Sequence, residues 1–152
     1  MKSKTKNKII YSILVIISLF IITSCQIKTK ENPNQETIRE VISTMSITIN
    51  EKEYTIHLED NETVKSFINL LPLEINMQEL NGNEKYIYLD TTLPTDSVTP
   101  KHINSGDIML YGNNCLVIFY QSFDTTYSYT KIGHIDNLSD LGHENIKVTI
   151  RK

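Results

Sequence analysis

The chain has 152 residues, 39% hydrophobic and 22% charged, with 15 Lys+Arg against 18 Asp+Glu and a formal charge of −3. Those values suit one globular domain with a leader and a linker, and the charge is unevenly spread: Lys2, Lys4, Lys6 and Lys8 are the only charged residues before Cys25. Without residues 1–24, 128 residues remain with 11 Lys+Arg and 18 Asp+Glu, a formal charge of −7, which excludes nucleic acid as a natural partner and sets the domain against anionic lipid surfaces.

Residues 1–8 form a basic segment, and Ile9 to Ile22 is an uncharged run of 14 residues. As a helix that run would span roughly 21 Å at about 1.5 Å per residue. This is short for a bilayer core of about 30 Å and normal for the apolar region of a signal peptide. The stretch Ile22-Thr23-Ser24-Cys25 resembles the bacterial lipobox, with isoleucine where leucine is usual. Small residues let a peptidase reach the backbone, and the thiol accepts a diacylglyceryl group. Two or more acyl chains give stable anchoring. The expectation is therefore a leader over residues 1–24 and a lipid on Cys25, with the membrane as partner through that lipid and the domain facing the extracytoplasmic side, at the cell surface or in the periplasm. The competing reading is an uncleaved transmembrane anchor with an incidental cysteine. It places the domain on the same side, because the positive segment stays inside.

Residues 25–40 are polar and lack apolar periodicity, so they read as a flexible tether, and residues 41–152 as the domain. Alternation in Ser46–Ile49 and Tyr54–Leu58 around Asn50-Glu51-Lys52 predicts a hairpin. Asp60 and Asn61 can cap a helix carrying Val64, Phe67, Ile68 and Leu71, which Pro72 ends. Leu73 to Met77 alternates again, Asn81-Gly82-Asn83 is a turn, and Lys85 to Leu89 is a strand. A loop follows from Thr91 to Ser105. Gly106–Tyr111 is a strand, Gly112-Asn113-Asn114 a turn, and Cys115–Tyr120 an apolar strand expected to be buried on both faces or to lie in the centre of a closed sheet. Tyr127–Gly133 is another strand, Asn137–Leu141 a helical turn capped by Asn137, and Ile146, Val148 and Ile150 mark the last strand. About eight strands with one real helix predict an all-β domain closed into a small barrel, which removes the sheet edges.

Four stretches carry a family resemblance: Ile56 to Leu71, Leu80 to Tyr86, Gly106 to Tyr120, and Tyr127 to Gly133. Together they resemble the bacterial cyclophilin-like fold domains over roughly residues 45 to 151. The resemblance implies an eight-stranded barrel with short helices at its ends, like that of the cyclophilin prolyl isomerases. Those enzymes use an arginine on the outer barrel face to favour the pyramidal prolyl nitrogen. This chain has only Arg39 and Arg151, in or beside the tether and at the penultimate position, and lysine lacks the rigid donor fork. The expectation is a binding or accessory module without catalytic residues. The alternative is a divergent prolyl isomerase or folding factor for exported proteins.

The candidate ligand site is an aromatic groove for a peptide or small molecule, built from Tyr86, Tyr111, Phe119, Tyr127 and Tyr129 with Asn81 and Glu84 at its rim. The competing reading is that these rings pack the barrel or its ends. His57, His102, His134 and His143 show no metal-ligand spacing, so no metal is expected. Five glycines offer no phosphate cradle, and no cofactor is expected. Cys115 opens an apolar strand and reads as a buried, inert thiol.

Overall fold

The computed structural model describes residues 43–152. The expected leader, Cys25 and the tether lie outside the described residues. The elements formed among the described residues are β1 (Thr44–Ile49), β2 (Lys52–Leu58), α1 (Glu62–Ile68), β3 (Leu73–Leu80), β4 (Glu84–Tyr88), β5 (His102–Ile103), β6 (Asp107–Tyr111), β7 (Cys115–Phe119), β8 (Phe123–Asp124), β9 (Tyr129–Ile135) and β10 (Ile146–Arg151). Eight of them close into an antiparallel barrel in the order β1-β10-β3-β4-β7-β6-β9-β2, and β5 and β8 pair separately. Closure comes from β1, which pairs with β2 on one side and with β10 on the other. No barrel strand is left with an open edge.

The period-2 pattern decides what faces inward. Ile47 and Ile49 of β1, Leu116 and Ile118 of β7, and Ile146, Val148 and Ile150 of β10 meet in one core. Each such side chain contributes about 1.5–3 kcal/mol on burial. Helix α1 adds Val64 and Phe67 to this core. Its start is set by Asn61, whose Oδ1 accepts from the Val64 N–H at 2.9 Å while its Nδ2 donates to the Lys131 carbonyl at 2.8 Å. The β1–β2 turn needs only Asn50 and Glu51, both in the left-handed region, as in the tight turns that match strand twist. Asn50 also bonds both backbone groups of Lys147, which ties the turn to β10. Gly133 lets β9 approach β2: a Cβ there would lie 2.4 Å from the His57 carbonyl oxygen.

Strand β7 is buried on both faces. Its inward residues enter the main core. Its outward residues Cys115, Val117 and Phe119 join Ile103, Met109 and Tyr129 in a second cluster on the outside of the barrel, with Tyr86 and Phe123 packed against it.

The structure corrects three sequence expectations. The loop from Thr91 to Ser105 contains strand β5, because His102 and Ile103 pair with Asp124 and Phe123. The loop is also held elsewhere: Leu93 N–H donates to the Asn113 carbonyl at 2.7 Å, and Val98 exchanges two bonds with Tyr129. The strand expected over Tyr127–Gly133 is displaced to Tyr129–Ile135. Tyr127 gives its N–H to Thr125 Oγ1, a local turn bond, while Ile135 pairs with Ile56. Asn137 caps no helix. Its φ is +54°, whereas an N-cap residue is extended, and the segment is a turn leading into a loop.

Candidate functional site

Alternation on β4 sends Glu84, Tyr86 and Tyr88 outward, and on β7 it sends Cys115 and Val117 outward beside them. The register joins the two sets, with Glu84 opposite Phe119, Tyr86 opposite Val117 and Tyr88 opposite Cys115. Tyr111 ends β6 opposite Cys115 on one side and Tyr129 on the other. The result is an open cleft of about 290 Å³ on the outer barrel wall, lined by Leu80, Asn81, Glu84, Tyr86, Tyr88, Tyr111, Cys115, Val117, Tyr127 and Tyr129.

The rings meet mostly edge to face, which suits their quadrupoles. Tyr86 and Tyr88 stand 5.9 Å apart at 82°. Tyr111 meets Tyr127 at 6.1 Å and 90°, and Tyr129 at 5.6 Å and 52°. The Tyr86 hydroxyl donates to Gln78 Oε1 at 2.9 Å, which fixes that ring. Tyr88, Tyr111 and Tyr127 remain 63%, 45% and 62% exposed.

Six of the residues singled out in the sequence, Asn81, Glu84, Tyr86, Tyr111, Tyr127 and Tyr129, therefore share one concave surface. Phe119 does not line it. Tyr129 stands over Phe119 at 5.5 Å and 89°, Phe123 packs on it at 5.6 Å, and Phe119 is fully buried. It supports the floor from beneath. Tyr88, Leu80 and the pair Cys115 and Val117 were not singled out, although their i, i+2 spacing from Tyr86, from Gln78 and within β7 placed them on the same outer face.

Electrostatics within the cleft are one-sided. Burial, and then the nearby charge of Glu79, push the Glu84 carboxyl above its ordinary range. Burial and the charge of Glu84 raise the Cys115 thiol in turn. That thiol stays protonated at neutral pH and is a poor nucleophile.

Just inside the barrel wall lies the opposite arrangement. Lys85 is fully buried, and its ammonium donates to Glu79 Oε2 at 2.6 Å, the Gly142 carbonyl at 2.6 Å and the Glu144 carbonyl at 2.8 Å. Its three N–H groups are thus spent. Tyr120 lies under the ammonium, 4.8 Å from nitrogen to ring centre, and donates its hydroxyl to Glu79 Oε2 at 2.8 Å. Burial, and then that bond to a carboxylate, push the Tyr120 phenol up to about 12. This cluster pins the β9–β10 loop to the barrel.

Two of the four histidines, far apart in sequence, become cross-strand neighbours. His57 pairs with His134, and Asp136 lies 3.1 Å from one ring and 3.6 Å from the other. Asp107 accepts from His134 at 3.0 Å and sits 3.2 Å from Lys131. Among the described residues, no three such side chains are placed to hold a metal ion. Arg151 ends β10, which contributes no residue to the cleft, 3.7 Å from Glu74. No described helix is long and apolar enough to cross a membrane.

Residues 47–151 match the family described as the Cyclophilin-like family. Among solved structures, the solution structure of a hypothetical protein from Archaeoglobus fulgidus is similar at 16% identity, over 72% of this chain and 93% of that chain, with a TM-score of 0.47. No curated protein matches.

Proposed function

The chain belongs to the cyclophilin-like family, and from that premise we propose that it is an exported lipoprotein, held to a membrane through acylated Cys25, whose barrel binds a small molecule or peptide in the tyrosine cleft. The observation that carries the binding role is the exposure of Tyr88, Tyr111 and Tyr127 around one concavity. A barrel of this size needs apolar side chains inside. A cluster of partly exposed rings on its outer wall adds little to folding and supplies a contact surface.

A module without catalysis fits the chemistry of the cleft. Its thiol is held protonated, and the only arginine among the described residues, Arg151, lies on β10 rather than at the cleft. The anchoring role rests on Ile22-Thr23-Ser24-Cys25 after 14 uncharged residues.

Two measurements test this reading. Mass spectrometry of the native protein should find a chain that begins at a diacylated Cys25, and a chain that begins at Met1 refutes the anchor. The full chain in non-ionic detergent should show chemical-shift changes at Tyr111, Tyr127 and Tyr129 on titration with indole or a short Ala-Pro-Phe peptide. The Tyr111→Ala/Tyr127→Ala double variant should abolish them. Acceleration of prolyl isomerisation by sub-stoichiometric protein would replace the binding-module reading with an enzymatic one.

A further inference from the structure

We infer that the cleft is built for a small organic cation, an ammonium or quaternary ammonium group seated against the tyrosine faces with Glu84 as its counter-charge; this rests on the cleft being a binding site.

The Glu84 side chain is half-buried, and among the described residues it has no hydrogen-bond or ion-pair partner. A carboxylate withdrawn from water without compensation is costly. The neighbouring residue in sequence carries a cation, but alternation turns Lys85 to the other side of the wall, where Glu79 and two carbonyls occupy its ammonium. None of the ten residues lining the cleft is basic. The cleft is therefore negative and has no charge of its own to neutralise Glu84.

The rings point to the same ligand. An ammonium group is attracted to the negative face of an aromatic ring, not to its edge. In each near-perpendicular pair, Tyr86 with Tyr88 and Tyr111 with Tyr127, one ring presents its edge to the other, so the pair forms two walls of a corner. One corner stands on β4, the strand that carries Glu84, and the other stands across β7, where Tyr111 ends β6 and Tyr127 precedes β9. Any ligand that covers this surface removes Glu84 further from water. An anion adds repulsion, a neutral apolar ligand leaves the carboxylate uncompensated, and a cation supplies what is missing. The raised Glu84 carboxyl agrees with a site awaiting positive charge.

The test uses the full chain in a maltoside detergent, which avoids phospholipid headgroups that themselves carry quaternary ammonium. Choline chloride and its neutral isostere 3,3-dimethyl-1-butanol are titrated by calorimetry, with indole as a neutral aromatic probe. Choline should bind at least about tenfold more tightly than the isostere, and Glu84→Gln should reduce that preference to about twofold or less. Tyr127→Phe should keep choline affinity and Tyr127→Leu weaken it several-fold; this side chain is 62% exposed, so neither change threatens the fold. A thermal melt of Glu84→Gln separates lost binding from lost structure. Equal affinity for choline and the isostere overturns the inference, as does choline binding indifferent to Glu84→Gln. If indole binds in the cleft and choline does not, the cation inference falls and the binding cleft stands. If none of the three binds, both fall.

Discussion

Glu79 and Glu84 sit on the two strands of one hairpin, either side of the turn at residues 81–83, and they meet opposite environments. Glu79 points into the barrel end, 17% exposed, and accepts from the Lys85 ammonium, the Tyr120 hydroxyl and the Gly82 N–H. Burial alone would raise its carboxyl, but those donors hold it below the ordinary range. Glu84 points outward among tyrosines with no such donor and is raised. Odd and even positions along one hairpin thus separate a satisfied structural cluster from an unsatisfied surface. The first belongs to folding. The second is where a ligand can supply what the chain does not.

The largest effect should come from breaking the satisfied side. Lys85→Met leaves Glu79 and the Gly142 and Glu144 carbonyls without their donor, and should cost about 3–5 kcal/mol in urea denaturation. Glu79→Gln leaves Lys85 with a weaker acceptor and should cost about 2 kcal/mol. It should also change the pH dependence. A carboxyl held below its unfolded value of about 4.5 contributes stability in full above that pH and loses it as the pH falls through the folded value. The variant should therefore lose part of the acid sensitivity of the native chain, as read from melting temperature between pH 6 and 3.

A smaller effect is expected beneath the cleft. Phe119→Leu removes the ring that supports Tyr129 and contacts Phe123 and should cost about 1.5 kcal/mol. Weakened indole binding with little change in the Lys85 cluster would sharpen the division between the two regions. The smallest effect, and the only one of opposite sign, belongs to Glu84→Gln, which should stabilise the chain by about 0.5 kcal/mol at pH 7. A carboxyl raised in the folded state costs stability at pH above its folded value, and that cost disappears as the pH falls toward 4.5. The gain should therefore vanish at acid pH. Loss of stability at pH 7 would mean that Glu84 has a partner after all, and the contrast with Glu79 would collapse.

Much of the fold was legible because local chemistry repeats along the chain. Apolar patterning located all eight barrel strands, with β3 three residues short at its C-terminal end and β9 shifted by two residues, and Asn61 with its apolar spacing located α1. The shift at β9 arose because Tyr127 and Tyr129 alternate as a strand would, and only pairing with Val98 and Ile56 decides where the ladder begins and ends. Strand β5 was missed because two residues carry no period of their own; their pairing with β8 comes from a segment about twenty residues away.

Sequence alone determined which residues are apolar and at what spacing, and hence the strands, the capped helix and the outward set of tyrosines. Tertiary structure decided which outward residues became floor and which became wall. Phe119 and Tyr129 are both aromatic, outward and buried, but Tyr129 of β9 lies over Phe119 of β7, so Tyr129 alone lines the cleft and Phe119 supports it from beneath. It also decided that Lys85 spends its charge on Glu79 and leaves Glu84 unanswered. Alternation names the side of the wall for each residue, but which partners wait there depends on loops returning from residues 142 and 144, and no local pattern encodes that distance.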